Sequence, residues 1–197
     1  MTSTPSTPAA RRRRPDVERN ETALLEAASA VFARSGVDAP VREVAAEAGV
    51  GIATLYRHFP SRADLVVAVY RHQVDECADA GPTLLASSPS AFEATREWIH
   101  LFVHFLGTKH GLARVWEGDA AGFTALHMLI VDRLVPALEE LLDAARASGE
   151  VVAPTSGYQL IRAVGDLVAF APKDPDYDVR AIVDLLISGL RQPQPER

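Results

Sequence analysis

Apolar residues recur at helical spacing through almost the whole chain, whereas signals for β-strands are nearly absent. In the first run, the apolar positions follow the i, i+4, i+7, i+8 spacing of one helix face, and Gly36 ends the run; these positions are Leu24, Ala28, Val31 and Phe32. No alternating segment is bounded by Asn-Gly or Asp-Gly, so we expect no hairpin. The sequence therefore predicts an all-α protein of about nine helices.

The composition excludes several classes of protein. Of the 197 residues, 48% are hydrophobic, which is enough for a core and excludes global disorder. Cys77 is the only cysteine, so the chain can form neither an internal disulfide nor a cysteine-rich metal site. No apolar run reaches the roughly 18 residues that span a bilayer. We therefore expect a cytoplasmic protein.

The first residues differ in composition from the rest of the chain. Residues 1–15 are rich in Ser, Thr, Pro and Arg and have no periodic apolar positions, which predicts a disordered basic arm. The net charge of the chain is −6, yet the N-terminal third has an excess of basic side chains and the remainder an excess of acidic ones. This distribution is typical of a protein in which only the N-terminal part contacts phosphate.

Short helical runs follow the arm, and longer runs occupy the C-terminal part. The short runs predict a module over residues 16–65, which ends as a fourth helix begins at the SRAD capping sequence from Ser61. A larger helical domain is expected over residues 66–197. Turn-forming residues at 81–82 and 87–90 predict a linker within it.

The sequence VREVAAEAGVGIATLYRHF, residues 41–59, predicts a helix-turn-helix. Two short helices would be joined at Gly49, and the second would face a DNA major groove, which is roughly 12 Å wide. The side facing the module collects the apolar residues Val44, Ala45, Val50, Leu55 and Phe59. The outward side collects small, polar and basic residues, which are Gly51, Ile52, Ala53, Thr54, Tyr56, Arg57 and His58.

The outward residues suit distinct contacts with DNA. Ile52 and Ala53 can meet thymine methyl groups, and Thr54 can donate or accept a hydrogen bond at a base edge. Small residues from Gly51 onwards let the helix N-terminus approach the DNA closely. Phosphate contacts are expected from residues with a basic side chain or a phenol hydroxyl, which are Arg42, Tyr56, Arg57, His58 and Arg62.

The residues VREVAAEAGVGIATLYRHFPSRADL resemble the DNA-binding motif of the TetR family of bacterial transcription regulators. In that motif, a helix ends in Ala-Gly-Val. Thr-Leu-Tyr, a basic or aromatic pair and Phe then follow in that order, and a Ser with a basic residue comes before the fourth helix. The resemblance extends over residues 19–71, and the motif itself covers about a quarter of the chain. It implies a helix-turn-helix domain of three helices and a C-terminal domain that binds a small molecule. It also implies a homodimer that binds a palindromic operator in double-stranded DNA. The homodimer would release this operator when the small molecule binds. By position, the DNA contacts would come from Arg42, Ile52, Ala53, Thr54, Tyr56, Arg57, His58 and Arg62.

The chain departs from the family's pattern at two places. Pro40 and Val41 stand where Thr or Ser often begins the second helix, and Gly51 stands where Ser often begins the third. These departures indicate a more apolar base readout than is usual in the family. The arginines at 11–14 could compensate by lying in a minor groove; the alternative is a solvated tail.

Aromatic residues accumulate on several faces of the helices between residues 90 and 130. A cavity lined by them would suit a small apolar or amphipathic effector, and the alternative is ordinary core packing. His100 and His104 are spaced i, i+4, but no third ligand lies at a motif-like distance, so we expect no metal and no cofactor. The ligand-binding residues that we expect are Trp98, Phe102, Phe105, Trp116, Phe123 and His127.

The last two helical runs, about 155–170 and 177–191, each carry an apolar stripe. In a monomer each stripe would pack internally. The family resemblance implies instead a four-helix homodimer interface formed by these runs and their mates. Two DNA-binding domains about 34–36 Å apart would then match successive major grooves.

The leading hypothesis is a ligand-responsive transcriptional regulator, a repressor rather than an enzyme. One alternative is a small helical enzyme or carrier with an apolar pocket. The sequence holds no Gly-x-Ser-x-Gly, phosphate-binding glycine loop or His-Glu-x-x-His in its support. A second alternative is a constitutive DNA binder that takes no ligand.

Overall fold

A computed structural model describes the backbone of residues 13–107, 120–170 and 176–191, and the side chains of residues 20–107, 128–169 and 176–191. Within these ranges the chain forms eight α-helices and no β-strand, which confirms the all-α class. The helices are α1 (Arg13–Ser35), α2 (Val41–Glu47), α3 (Ile52–His58), α4 (Arg62–Ser87), α5 (Ala91–Gly107), α6 (Ala120–Ala147), α7 (Gly157–Phe170) and α8 (Val179–Ser188).

The chain divides into two compact units, residues 1–69 and 70–197, and α4 contributes residues to both. The sequence predicts the boundary between the two domains after residue 65. Of the predicted arm, residues 1–12 lie outside the described residues, and α1 begins at Arg13. Within the described ranges, no helix is both long and apolar enough to cross a membrane.

The first unit is built on the apolar face of α1. The predicted stripe is buried, since Leu24, Ala28, Val31 and Phe32 are all among the core residues. This face packs against α2. Gly36 has a φ of +79°, a left-handed conformation that glycine adopts without strain, and α1 ends there as the sequence predicts.

The second unit is organised around α5, which packs against α6, α7 and α8. Trp98 is fully buried, and its indole Nε1 donates a hydrogen bond to the Cys77 carbonyl oxygen at 2.7 Å. Phe102 and Phe105 are buried beside it, and the Phe105 ring meets the Tyr70 ring edge-on at 5.7 Å between centroids. The aromatic residues of α5 are therefore packed in the core of the second unit.

The predicted linker at residues 81–90 is wrong in its first part, because α4 continues through Gly81 and Pro82 to Ser87. Packing explains the continuation. A Cβ at Gly81 would lie 3.9 Å from both the Ala137 carbonyl oxygen and the Leu141 side chain, so the two helices approach closely at this point. Burial along α4 therefore outweighs the local cost of a glycine and a proline inside a helix. The short helix expected around residues 112–116 lies outside the described residues.

Candidate nucleic-acid interface

The connection between α2 and α3 is a tight turn fixed by backbone hydrogen bonds. Gly49 has a φ of +66°, and its N–H donates to the Ala46 carbonyl at 3.1 Å. The next N–H, of Val50, reaches back to the Ala45 carbonyl at 2.9 Å. These bonds satisfy the last carbonyls of α2 and reverse the chain. Gly51 then accepts from the Thr54 N–H at 2.9 Å, which starts α3.

The two faces of α3 have opposite character. Leu55 and Phe59 are buried, and together with Val44 and Ala45 they hold α3 against the rest of the first unit. On the other side, Ile52 is 47% exposed and Tyr56 is 45% exposed. These two residues lie one helical turn apart, so their side chains are neighbours on the outer surface.

The remaining residues predicted to contact DNA share this outer surface to different degrees. Most are exposed, namely Arg42, Gly51, Ile52, Ala53, Tyr56 and Arg57; Thr54, His58 and Arg62 are half-buried. The structure therefore exposes most of the predicted α3 residues and leaves Thr54 and His58 half-buried.

Arg57 folds back along α3. Its Nη2 donates to the Thr54 hydroxyl at 2.9 Å, and its Nε donates to the Ala53 carbonyl at 3.3 Å. The guanidinium therefore lies over the face that carries Ala53 and Thr54, and the hydroxyl of Thr54 helps to hold it there.

Arg62 has a different environment from the other predicted contacts. Its Nη2 donates to the Ala39 carbonyl oxygen at 2.8 Å and also to the Val37 carbonyl oxygen. Both carbonyls belong to the connection between α1 and α2. The guanidinium of Arg62 thus braces that connection, a role that sequence reasoning missed because the partners lie more than twenty residues away. Arg34 adds a second tie, an ion pair with Glu47 at 3.0 Å.

The turn, the buried face and the exposed face of α3 define a helix-turn-helix protein. A family model described as bacterial regulatory proteins of the tetR family matches residues 24–69. The solved TetR transcriptional regulator SCO0520 from Streptomyces coelicolor is 33% identical, with a TM-score of 0.73, over 89% of this chain and 99% of that one. A TetR transcription regulatory protein from Mycobacterium vanbaalenii is 30% identical, with a TM-score of 0.69, over 91% of this chain and 99% of its own. The chain therefore belongs to the TetR family of transcriptional regulators.

A curated relative is similar over a shorter stretch. The nucleoid occlusion factor SlmA from Shewanella frigidimarina is 28% identical over 106 residues. This match covers 54% of the present chain and 54% of the relative, so the chain spans about half the length of that protein.

The residues predicted to bind an effector fall into two groups. Trp98, Phe102 and Phe105 are buried, and the Trp98 and Phe102 rings stack with centroids 6.0 Å apart. Trp116 lies outside the described residues. Phe123 and His127 fall within α6, but their side chains also lie outside the described residues.

An ion-pair cluster joins α5 to α8. Asp184 Oδ1 lies 2.9 Å from both Arg96 Nε and His100 Nε2. Hydrogen bonds from Arg96 and then His100 lower the pKa of Asp184. Within the described ranges, no three His, Cys, Asp or Glu residues are grouped as metal ligands would be. The acidic partner of His100 is Asp184, 84 residues later in the chain. Residue spacing within a single helix cannot predict such a pair.

Proposed function

We propose that this protein is a homodimeric repressor that binds a palindromic DNA operator and releases it when a small apolar or amphipathic molecule binds the second unit. The observation that carries the proposal is the outer face of α3. Ile52 and Tyr56 are large apolar side chains left exposed on a short helix whose other face is firmly packed. Exposed apolar residues at such a position are typical of a surface that a partner covers.

The proposed DNA contacts divide by chemistry. Ile52 and Ala53 would meet thymine methyl groups in the major groove, and Thr54 would hydrogen-bond to a base edge, with Gly51 allowing close approach. Backbone phosphates would be contacted by basic and phenolic groups at the edge of this face, which are Arg42, Tyr56, Arg57, His58 and Arg62. The arm at residues 11–14 would add a minor-groove contact.

The proposed dimer uses α7 and α8. On α8, Leu185 is 71% exposed and Ile182 is also exposed, while Val183 and Ile187 on another face of the helix are buried. Tyr158 on α7 is exposed as well. A second copy covering these side chains would remove apolar surface from water and would hold two copies of α3 at the spacing of successive major grooves.

A second candidate function is a DNA binder that takes no effector. The observation that favours it is the packing of Trp98 and Phe102, whose stacked and buried rings fill the core of the second unit. The two candidates differ in one measurement, since only a ligand-responsive regulator releases DNA when a small molecule binds.

The experiment that tests the proposed function compares base-contact and phosphate-contact variants. The reference DNA is the tightest duplex selected from a randomised library, and random duplex is the competitor. Ile52→Ala should lower selectivity by about tenfold, because one apolar base contact is lost, while binding to random DNA is retained. Arg42→Gln should weaken binding to both duplexes and reduce the slope of log affinity against log salt by about one.

Matched controls come from exposed residues of the second unit. Val152→Ala removes a similar exposed apolar side chain, and Arg71→Gln removes a similar exposed charge on α4. Neither control should change affinity or selectivity. Equal losses on both duplexes for Ile52→Ala and Arg42→Gln would contradict the assigned roles.

A further inference from the structure

A groove of about 700 Å³ lies on the surface of the second unit, between the end of α4, α5 and the start of α8. Its α5 wall carries Arg96, His100, Leu101 and His104 at i, i+4, i+5 and i+8, which share one side of the helix. Trp98 and Phe102, the aromatic residues of the same helix, are buried in the core. The groove is therefore distinct from the aromatic cluster.

The charges in the groove are unevenly paired. Asp184 is held by Arg96 and His100, each at 2.9 Å, and Glu97 accepts a hydrogen bond from the Ser88 hydroxyl at 3.1 Å. Both acidic groups of the groove thus already have partners.

Arg180 is the arginine of the groove that lacks an ion pair among the described residues. It is exposed, and its guanidinium forms no ion pair with any residue that the structure describes. The nearby carboxylate of Asp178 is occupied in capping α8, where it accepts from the Arg180 and Ala181 backbone N–H groups at 3.1 Å each. His104, also exposed, has no ion pair or hydrogen bond within the same described ranges.

Apolar surface lines the same groove. Leu101 is 43% exposed, and Leu84 is half-buried on the α4 wall. Covering the exposed surface of these two leucines with an apolar group is more favourable than leaving that surface in contact with water. The groove is therefore lined both by apolar surface and by an arginine that has no ion pair among the described residues.

The groove also lies away from the surface proposed for dimerisation. Arg180 and Asp184 are four residues apart and share one face of α8. Ile182 and Leu185 fall on a different face, because each residue advances by about 100° around the helix. A second copy on the exposed leucine face therefore leaves the groove accessible.

We infer that this groove binds a small amphipathic organic anion, with its carboxylate or sulfonate group on Arg180 and its apolar body over Leu84 and Leu101. A group of this kind matches both the Arg180 guanidinium and the exposed leucine surface, and the groove volume suits a ligand of drug size. That the occupant acts as the effector rests on the proposed function.

The test uses a pair of fluorescent probes that share one apolar body. One is 1-anilinonaphthalene-8-sulfonate, an anion, and the other is N-phenyl-1-naphthylamine, which lacks the sulfonate. Arg180→Gln should weaken binding of the anion by about tenfold and leave the neutral probe unchanged, because only the charge-assisted contact is lost. Leu101→Gln should weaken both probes. Because Arg180 and Leu101 are exposed, neither substitution threatens folding.

Arg71→Gln on α4 is the control for charge, because Arg71 is exposed and does not line the groove, and it should bind both probes as the unmodified chain does. Unchanged affinity of the anionic probe in Arg180→Gln, or equal losses of both probes in that variant, would overturn the assignment. The titrations contain no DNA, so their failure leaves the proposed function standing. Conversely, a failure to bind DNA selectively leaves the groove assignment standing.

Release of the selected duplex by the anionic probe would show that the groove and the DNA-binding face are coupled, provided that Arg180→Gln abolishes this release. Persistence of the DNA complex at saturating probe would overturn the groove's role as effector site.

Discussion

The Thr54 hydroxyl has two possible partners, a base edge and the guanidinium of Arg57. In the free protein it accepts from Arg57 Nη2 at 2.9 Å. Binding to DNA must therefore either keep this contact, with Arg57 placed by Thr54, or exchange it for a contact with a base. In both cases Thr54 acts on sequence preference rather than on overall charge.

Thr54→Val should change the preferred base at one operator position by about 1–3 kcal/mol, while affinity for random DNA stays near that of the unmodified chain. The variant loses the hydroxyl at nearly constant shape. Binding to a library with every single-base change in the selected duplex measures the effect. Thr54→Ser keeps the hydroxyl and should keep the preference. A uniform loss across the whole library would show that Thr54 does not read sequence.

Arg62→Met should lower the free energy of unfolding of the first unit by about 2 kcal/mol, because the carbonyls of Val37 and Ala39 lose a charged donor. Urea unfolding followed by circular dichroism measures this loss. Arg42→Met is the matched control, because Arg42 is exposed and no hydrogen bond of its side chain is seen among the described residues. Unchanged stability of Arg62→Met would leave Arg62 with phosphate contact as its only role.

Residue exposure on α3 followed from the sequence, whereas the partners of Arg62 did not. The alternation of buried Leu55 and exposed Tyr56 is a consequence of helical periodicity, which one stretch of sequence contains. The contact of Arg62 with Ala39 depends on how α4 meets the connection before α2. Local patterns carry no information on that tertiary arrangement.

At the scale of helices, capping was largely predictable and its final geometry was not. The predicted capping box at the start of α4 is confirmed, since the Ser61 N–H donates to Asp64 Oδ2 at 3.0 Å and the Asp64 N–H donates to Ser61 Oγ at 3.1 Å. At the start of α5, the Glu93 N–H donates to the Ser90 hydroxyl at 3.3 Å. Glu150, from a distant loop, also accepts from the Phe92 N–H at 3.2 Å.

Glu150 gives the second unit a stability that depends on pH. The hydrogen bond from the Ser90 side chain, with those from Ser148 and the Phe92 N–H, lowers the pKa of this carboxyl. A lowered folded-state pKa means that the carboxylate stabilises the fold above its ordinary pKa of about 4.3. The contribution is lost as the pH falls through the folded-state value.

Glu150→Gln should therefore be less stable than the unmodified chain at pH 7 by about 1 kcal/mol, since a negative charge near a helix N-terminus is removed. The difference should shrink as the pH falls from about 4.3, the ordinary pKa of the unfolded chain, through the lower folded-state pKa of Glu150, below which the carboxyl is neutral in both states. Thermal unfolding between pH 7 and pH 3 measures it. Glu140→Gln, at an exposed position of α6, is the control. A difference that stays constant with pH would contradict the account.

The length of α4 shows where local signals mislead. Glycine and proline in succession ordinarily end a helix. In this chain α4 lies against α6 at Gly81, where an added Cβ would be in ordinary contact with the Ala137 carbonyl oxygen and the Leu141 side chain, each at 3.9 Å. Tertiary packing therefore outweighs a local signal that predicts a break in isolation.

At the scale of the whole molecule, the fold class and family followed from sequence because helical periodicity and one motif are local properties. The cluster of Asp184 with Arg96 and His100 did not, because it joins residues more than eighty positions apart. The groove beside it depends on the same long-range packing. Both are properties of the assembled second unit.

Leu185→Glu tests the proposed dimer. A charge on this highly exposed leucine should prevent two apolar faces from meeting, so the variant should be a monomer by light scattering after size-exclusion chromatography. Affinity for a palindromic duplex should fall by about a hundredfold or more, because each half-site is then bound separately. Met128→Glu, at an exposed position of α6, should remain dimeric and bind normally. A dimeric Leu185→Glu would place the interface elsewhere.

The central claim is that the α3 face binds DNA with sequence selectivity. The most direct measurement is a gel-shift titration of the full chain on DNA from upstream of its own gene, against random DNA of equal length, at two salt concentrations. The account predicts tight, selective binding to the upstream DNA, with affinity for both duplexes falling as salt rises. Equal affinity for the two duplexes at both salt concentrations would contradict it.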